Sequence, residues 1–170
     1  MATGQVVAAV LRAIPPATSY MTPDVRPGGS SPAENFPVWD ADDTSSEVMD
    51  FECYLSSSYS AATGLTIVLP WTATSATSGA VVWAAAIRRL NTAEDVDASH
   101  TYDFNNASAA TAPATNGNPT YTTITFTDGA DMDSLVAGEK FILRVKRLPT
   151  DAGDTMTGDA ELWVPVVKET

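Results

Sequence analysis

The stretch Thr120-Tyr121-Thr122-Thr123-Ile124-Thr125-Phe126, followed by Asp128-Gly129, decides the fold class of this chain. Thr120, Thr122, Ile124 and Phe126 alternate with Tyr121, Thr123 and Thr125, and a period of two is that of a strand with one face buried. β-Branched and aromatic side chains suit a pleated, half-buried surface. Asp-Gly is a favoured turn dipeptide and closes the segment.

Working outward, the same pattern recurs. Met49, Phe51, Cys53 and Leu55 alternate with Asp50, Glu52 and Tyr54. Leu65, Ile67, Leu69 and Trp71 form a second row, and Val81, Trp83, Ala85 and Ile87 a third. Tyr102 and Phe104 mark a weaker strand. Phe141, Leu143 and Val145 stand against Arg144 and Lys146, and Leu162, Val164 and Val166 against Glu161, Trp163 and Val167. The only helical pattern is one turn over Asp131–Val136, stopped by Gly138. Turn residues recur about every ten positions, which predicts an all-β sandwich or barrel. Ser56–Gly64 and Ala107–Pro119 are small and polar, and the second is expected to be a long, mobile loop at one end of the body.

The first forty residues read differently. Pro15, Pro16, Pro23, Pro27, Pro32 and Pro37 accompany Gly28 and Gly29. Proline fixes φ and lacks a backbone donor, so a central strand is not expected there. The sequence therefore divides into an N-terminal strand with a Pro/Gly-rich arm over 1–36 and a β-sandwich domain over 37–170. The arm is expected to serve attachment and not folding. The apolar run Val6–Ile14 is too apolar to float free and needs either the chain's own body or a neighbouring subunit. Its one charge, Arg12, lies inside the run, unlike the basic start of a signal peptide, so synthesis in the cytosol is expected.

Hydrophobic residues are 44% of the 170 and charged residues 18%, a globular composition. Twenty-one acidic against nine basic residues give a net charge of −12. A phosphate backbone needs a basic stripe, so nucleic-acid binding is not expected, nor is docking on an anionic membrane. One Cys and one His exclude an internal disulfide and a zinc site of the Cys/His type. His100 lacks a recognisable catalytic partner, and Cys53 falls on an apolar strand face as a small hydrophobe. No Gly-x-Ser-x-Gly elbow is present. The chain is thus expected to be no enzyme and to carry no cofactor. Among the loop carboxylates, Asp40-x-Asp42-Asp43 is the best arrangement of hard oxygens for Ca²⁺, but it lacks the Gly and the Glu spacing of an EF-hand. The expectation is an acidic solvated rim without metal.

Trp71 and Trp83 fall in register with Leu69 and Ile87 and are expected in the core. Trp163 has the opposite parity from Leu162 and Val164 and is expected to face outward, where a Trp often marks an interface. Val6, Val7, Val10, Leu11 and Ile14, together with Trp39 and Trp163, are the candidate interface residues.

Several stretches are familiar as a set. They are Pro37-Val38-Trp39-Asp40, Gly64–Trp71, TATSATSG (72–79), Ile124-Thr125-Phe126, Met132-Asp133-Ser134-Leu135, Ala137-Gly138-Glu139 and DTMTGDAEL (154–162). Together they resemble a family of small jelly-roll proteins among the virion structural proteins of tailed bacteriophages. The resemblance covers roughly residues 37–170 and implies a jelly-roll-like antiparallel β-sandwich in the phage particle. It implies a structural or attachment role in the particle. A compact β body without catalytic groups and an exchangeable arm make a head decoration (cement) protein the leading expectation, with the major capsid protein and further copies of itself, as a homotrimer, for partners. A tail or fibre component that binds the host surface is the alternative, and a carbohydrate-binding module or glycan hydrolase on a β-sandwich the third reading.

Overall fold

A computed structural model describes residues 4–31 and 33–170. Met1–Thr3 and Pro32, part of the expected arm, lie outside the described residues. The strands are β1 (Val6–Ile14), β2 (Thr22–Ser30), β3 (Ala33–Ala41), β4 (Val48–Leu55), β5 (Leu65–Ala73), β6 (Ala80–Val81), β7 (Trp83–Leu90), β8 (Asn105–Asn106), β9 (Ala110–Thr111), β10 (Thr120–Phe126), β11 (Lys140–Arg147), β12 (Ala160–Leu162) and β13 (Val166–Glu169). A 3₁₀ turn over Ala130–Met132 stands where one helical turn is expected.

β5 is the branch point of an eleven-stranded antiparallel sheet, and β6 and β9 pair as a separate two-stranded one. One edge pairs with β10 along its whole length, Thr120 opposite Trp71 and Phe126 opposite Leu65. The other edge pairs first with β12 and then with β13. From β12 the sheet continues to β3 and β2, and from β13 to β1, β4, β11, β7 and β8. The long arm curls until β8 approaches β10, where Asn105 Nδ2 donates to the Thr125 carbonyl at 2.9 Å. The product is an all-β half-barrel with its core on the concave side.

Parity decides who enters that core. Phe51, Ile67, Trp71, Trp83, Phe126, Phe141 and Leu143 are all fully or almost fully buried. The Trp71 and Trp83 rings lie 6.2 Å apart. Trp71 Nε1 donates to Thr122 Oγ1 at 2.9 Å, so its one polar atom is satisfied inside. Replacing Trp71 by Ala empties this site and is expected to cost about 3–5 kcal/mol in chemical denaturation. Thr→Ala changes in the exposed part of Ala107–Pro119 should cost under about 0.5 kcal/mol.

The expected strand at Tyr102 and Phe104 is not one. The segment lies across the convex face, where Tyr102 covers the Arg144 guanidinium at 3.9 Å and Phe104 the Lys146 ammonium at 3.7 Å. Aromatic alternation served cation–π contacts there, not a ladder. The expected strand over residues 162–167 is likewise two strands. Pro165 has no donor, and the facing shifts across the break: Leu162 is buried, Val164 is half exposed, and Val167 is buried again.

The N-terminal region requires the main correction. β1 is no arm: it lies inside the sheet between β13 and β4. Val7 is 2% exposed and Met21 fully buried, so no structural seam follows residue 36. The Pro-rich segment is also regular, forming the hairpin β2–β3 at one end of the sheet. Parity explains how. Pro23 faces Trp39, Val25 faces Pro37, and Pro27 faces Asn35, so all three prolines occupy the same alternate pairs. The ladder can run through the intervening pairs, which need donors, while the prolines need none. Two of them also blunt the free edge of β2 against pairing with another chain.

Candidate functional site

The hairpin is held to the body over only part of its length. β3 meets β12 at Trp39–Ala41, while Ala33–Val38 pair with β2 alone. The outer half of the hairpin therefore projects past the sheet.

Two surfaces result. Pro23, Val25, Pro37 and Trp39 share the concave face and line an open groove of about 370 Å³, bordered by Asp24 and Val38 of opposite parity. Trp39 is partly buried there and meets Phe51 edge-on at 5.3 Å. On the convex side Phe36 stacks on Trp163, with ring centroids 5.7 Å apart and planes within 6°. Much of the Trp163 ring is thus covered by the chain's own hairpin. Val25 and Val164 are each about half exposed beside these surfaces.

A polar row fastens the base of the hairpin. Thr22, Asp40, Glu161 and Thr72 are successive cross-strand neighbours on the convex face. Arg26 reaches over this row to pair with Glu161 and donates to the Ala73 carbonyl at 3.0 Å. It also donates to Asn116 Oδ1 at 3.0 Å, and Asn116 Nδ2 returns to the Thr74 carbonyl at 3.1 Å. One guanidinium thus ties Glu161, the Ala73 carbonyl and Asn116 together. Burial, and next the Asp24 and Glu161 charges, raise the Asp40 carboxyl to about 6. Arg26 could not be picked out from the sequence, since Glu161 lies 135 positions away.

The expected interface residues of β1 are divided by the sheet. Val7 is core, and the half-buried Val10 packs against that core. Val6 and Leu11 are exposed, Leu11 standing at the bulge between Val10 and Arg12, and Ile14 is half-buried.

The carboxylate group is also redistributed. Asp40 turns to Asp24 and Glu161, and Asp159 takes its place, with one oxygen each of Asp42, Asp43 and Asp159 within 4.8 Å of the others. Asp42 Oδ1 accepts from Thr44 N and Thr44 Oγ1 at 2.6 Å and from Ser45 N at 2.7 Å. Asp43 accepts from Gly158 N. These are bonds of loop closure, and they hold the Asx turn shut. Burial and the neighbouring Asp42 and Asp43 charges raise the Asp159 carboxyl.

Below this loop lies a residue that the sequence reading passed over. Arg147 is fully buried, and its five N–H groups find five acceptors. Nε and Nη2 bind both oxygens of Asp154, at 3.0 and 2.7 Å. The Met156, Gly158 and Ala41 carbonyls take the rest, at 2.6, 2.8 and 3.3 Å. Its only signal was inward parity with Phe141, Leu143 and Val145.

His100 packs edge-on against Tyr102, with Glu94 and Asp133 oxygens 3.9 and 4.0 Å from its nitrogens. Cys53 is buried, and burial pushes its thiol up to about 12, far from the thiolate a nucleophile needs. Among the described residues no helix is long and apolar enough to cross a membrane. No protein-family model and no curated protein matches this chain.

Proposed function

We propose that this chain is a structural protein of a tailed-phage virion, with a jelly-roll-type body, and that it acts as a head decoration (cement) protein on the major capsid protein. The projecting β2–β3 hairpin carries this reading: it offers an apolar groove at Pro23, Val25, Pro37 and Trp39 where nothing in its own body covers it. A two-stranded hairpin alone is marginal in water, so its outer half gains from a partner. A homotrimer would supply further copies of the groove around one lattice position. Apolar contact suits a chain of −12 better than attraction to a second acidic surface. The same reading makes the chain non-catalytic: its one thiol is core and its one histidine packs edge-on against Tyr102.

A decoration protein that binds only the assembled lattice stabilises that lattice by mass action. Particles stripped of the chain are expected to release DNA at lower temperature than complete ones, with adsorption to cells unchanged. Adding back wild-type protein should restore them, and Val25→Asp protein should not. Stripped particles that are equally robust but fail to adsorb would replace this reading by that of a tail or fibre component.

A further inference from the structure

The seam where the half-barrel fails to close forms a second cleft, on the far side of β5 from the hairpin. It measures about 540 Å³, within the size range of small-molecule sites, and lies between β10 and the segment around β8. Its lining is unusual for so acidic a chain. Phe104, Asn105, Asn106, Ser108, Thr123 and Thr125 supply amides, hydroxyls and one ring edge, and no ionisable side chain.

β10 has a strand partner on one edge only. Asn105 reaches the Thr125 carbonyl from the other edge, which marks residues 121, 123 and 125 as those whose main-chain groups point away from β5. Thr123 thus presents an N–H, a C=O and a hydroxyl to the cleft. The side chains of Asn106, Ser108 and Thr123 form no hydrogen bond within the chain among the described residues, whereas Asn105 is spent on Thr125 and Asp131. Tyr121, 64% exposed, stands two residues from Thr123 on the same strand face, at the border of the cleft.

We infer that this cleft binds a neutral saccharide. Many uncharged donors and acceptors beside an exposed aromatic ring complement a ligand with a hydroxylated rim and an apolar C–H face. A charged ligand finds no counter-ion in the lining. A peptide strand cannot run the length of β10, because the Asn105 side chain occupies the ladder at Thr125. The inference does not depend on the virion reading.

Saturation-transfer NMR on the full chain with glucose, galactose, N-acetylglucosamine and maltose tests it. At least one of these sugars should receive saturation, and Tyr121→Ala and Asn106→Ala should each weaken its binding about tenfold, the scale of one lost contact. Thr123→Val, which keeps shape and removes the hydroxyl, should weaken it too. All three positions are on the surface, so unchanged melting confirms intact folding. No transfer to any of these sugars overturns the inference, and so does transfer that the variants leave unchanged. Either result would leave the particle-stability test untouched.

Discussion

Removal of residues 1–36 is expected to abolish cooperative folding. β1 supplies hydrogen-bonding partners to β13 on one side and β4 on the other, so its loss opens the sheet in the middle and not at an end. Val7 and Met21 leave the core, and the Val48 N–H and carbonyl lose Ser19 O and Met21 N as partners. Buried backbone groups left unpaired carry their full desolvation cost. A chain starting at Pro37 should therefore show weak strand signal in circular dichroism and no sharp melt. Arg26 goes as well, which leaves Glu161 without its cation. A truncate that melts cooperatively near the temperature of the full chain would show that β1 is an accessory strand after all.

Arg147→Ala is expected to destabilise the chain as strongly as Trp71→Ala, and for a different reason. Asp154, whose side chain is 2% exposed, would keep its charge and lose its only ion-pair partner. Three carbonyls, one at the end of β3 and two in the loop between β11 and β12, would lose their donor at the same time. Removing one member of such a buried pair costs about 3–5 kcal/mol. For a chain of this size that corresponds to a fall of roughly 10 °C in melting temperature. Arg147→Lys should recover little, because one ammonium cannot reach acceptors spread over a planar fork. The double variant Arg147→Ala/Asp154→Ala should be more stable than the sum of the single losses, since it removes the stranded charge. Strict additivity in that cycle would place the stabilisation in the carbonyl contacts alone. The loop from Asp154 to Asp159 should loosen with Arg147, which hydrogen exchange at Gly158 would report.

Hydrophobic alternation determined much of this molecule in advance. β4, β5, β7, β10 and β11 each carry their facing in their own residues, because a period of two is a local property and one face of each is buried. The core positions of Trp71, Trp83 and Cys53 follow from the same parity. The composition likewise limits the chemistry, since one thiol and one imidazole constrain it wherever they fall. The tertiary structure decided what depends on partners distant in sequence. Whether Val6–Ile14 joins its own sheet or a neighbour's turns on the free edges of β13 and β4, which no local pattern records. The prolines of β2 and β3 looked incompatible with strands until pairing placed all three in the same alternate pairs. Arg147 is recognisable as a core residue only once Asp154 and carbonyls from the end of β3 and the loop after β11 close around it. Arg26 is a clasp only beside Glu161, and Tyr102 and Phe104 leave the ladder because Arg144 and Lys146 await them on the convex face. Local sequence sets which face of a strand is apolar, but the hydrogen-bonding needs of edges and of buried charges are met only by the assembled sheet.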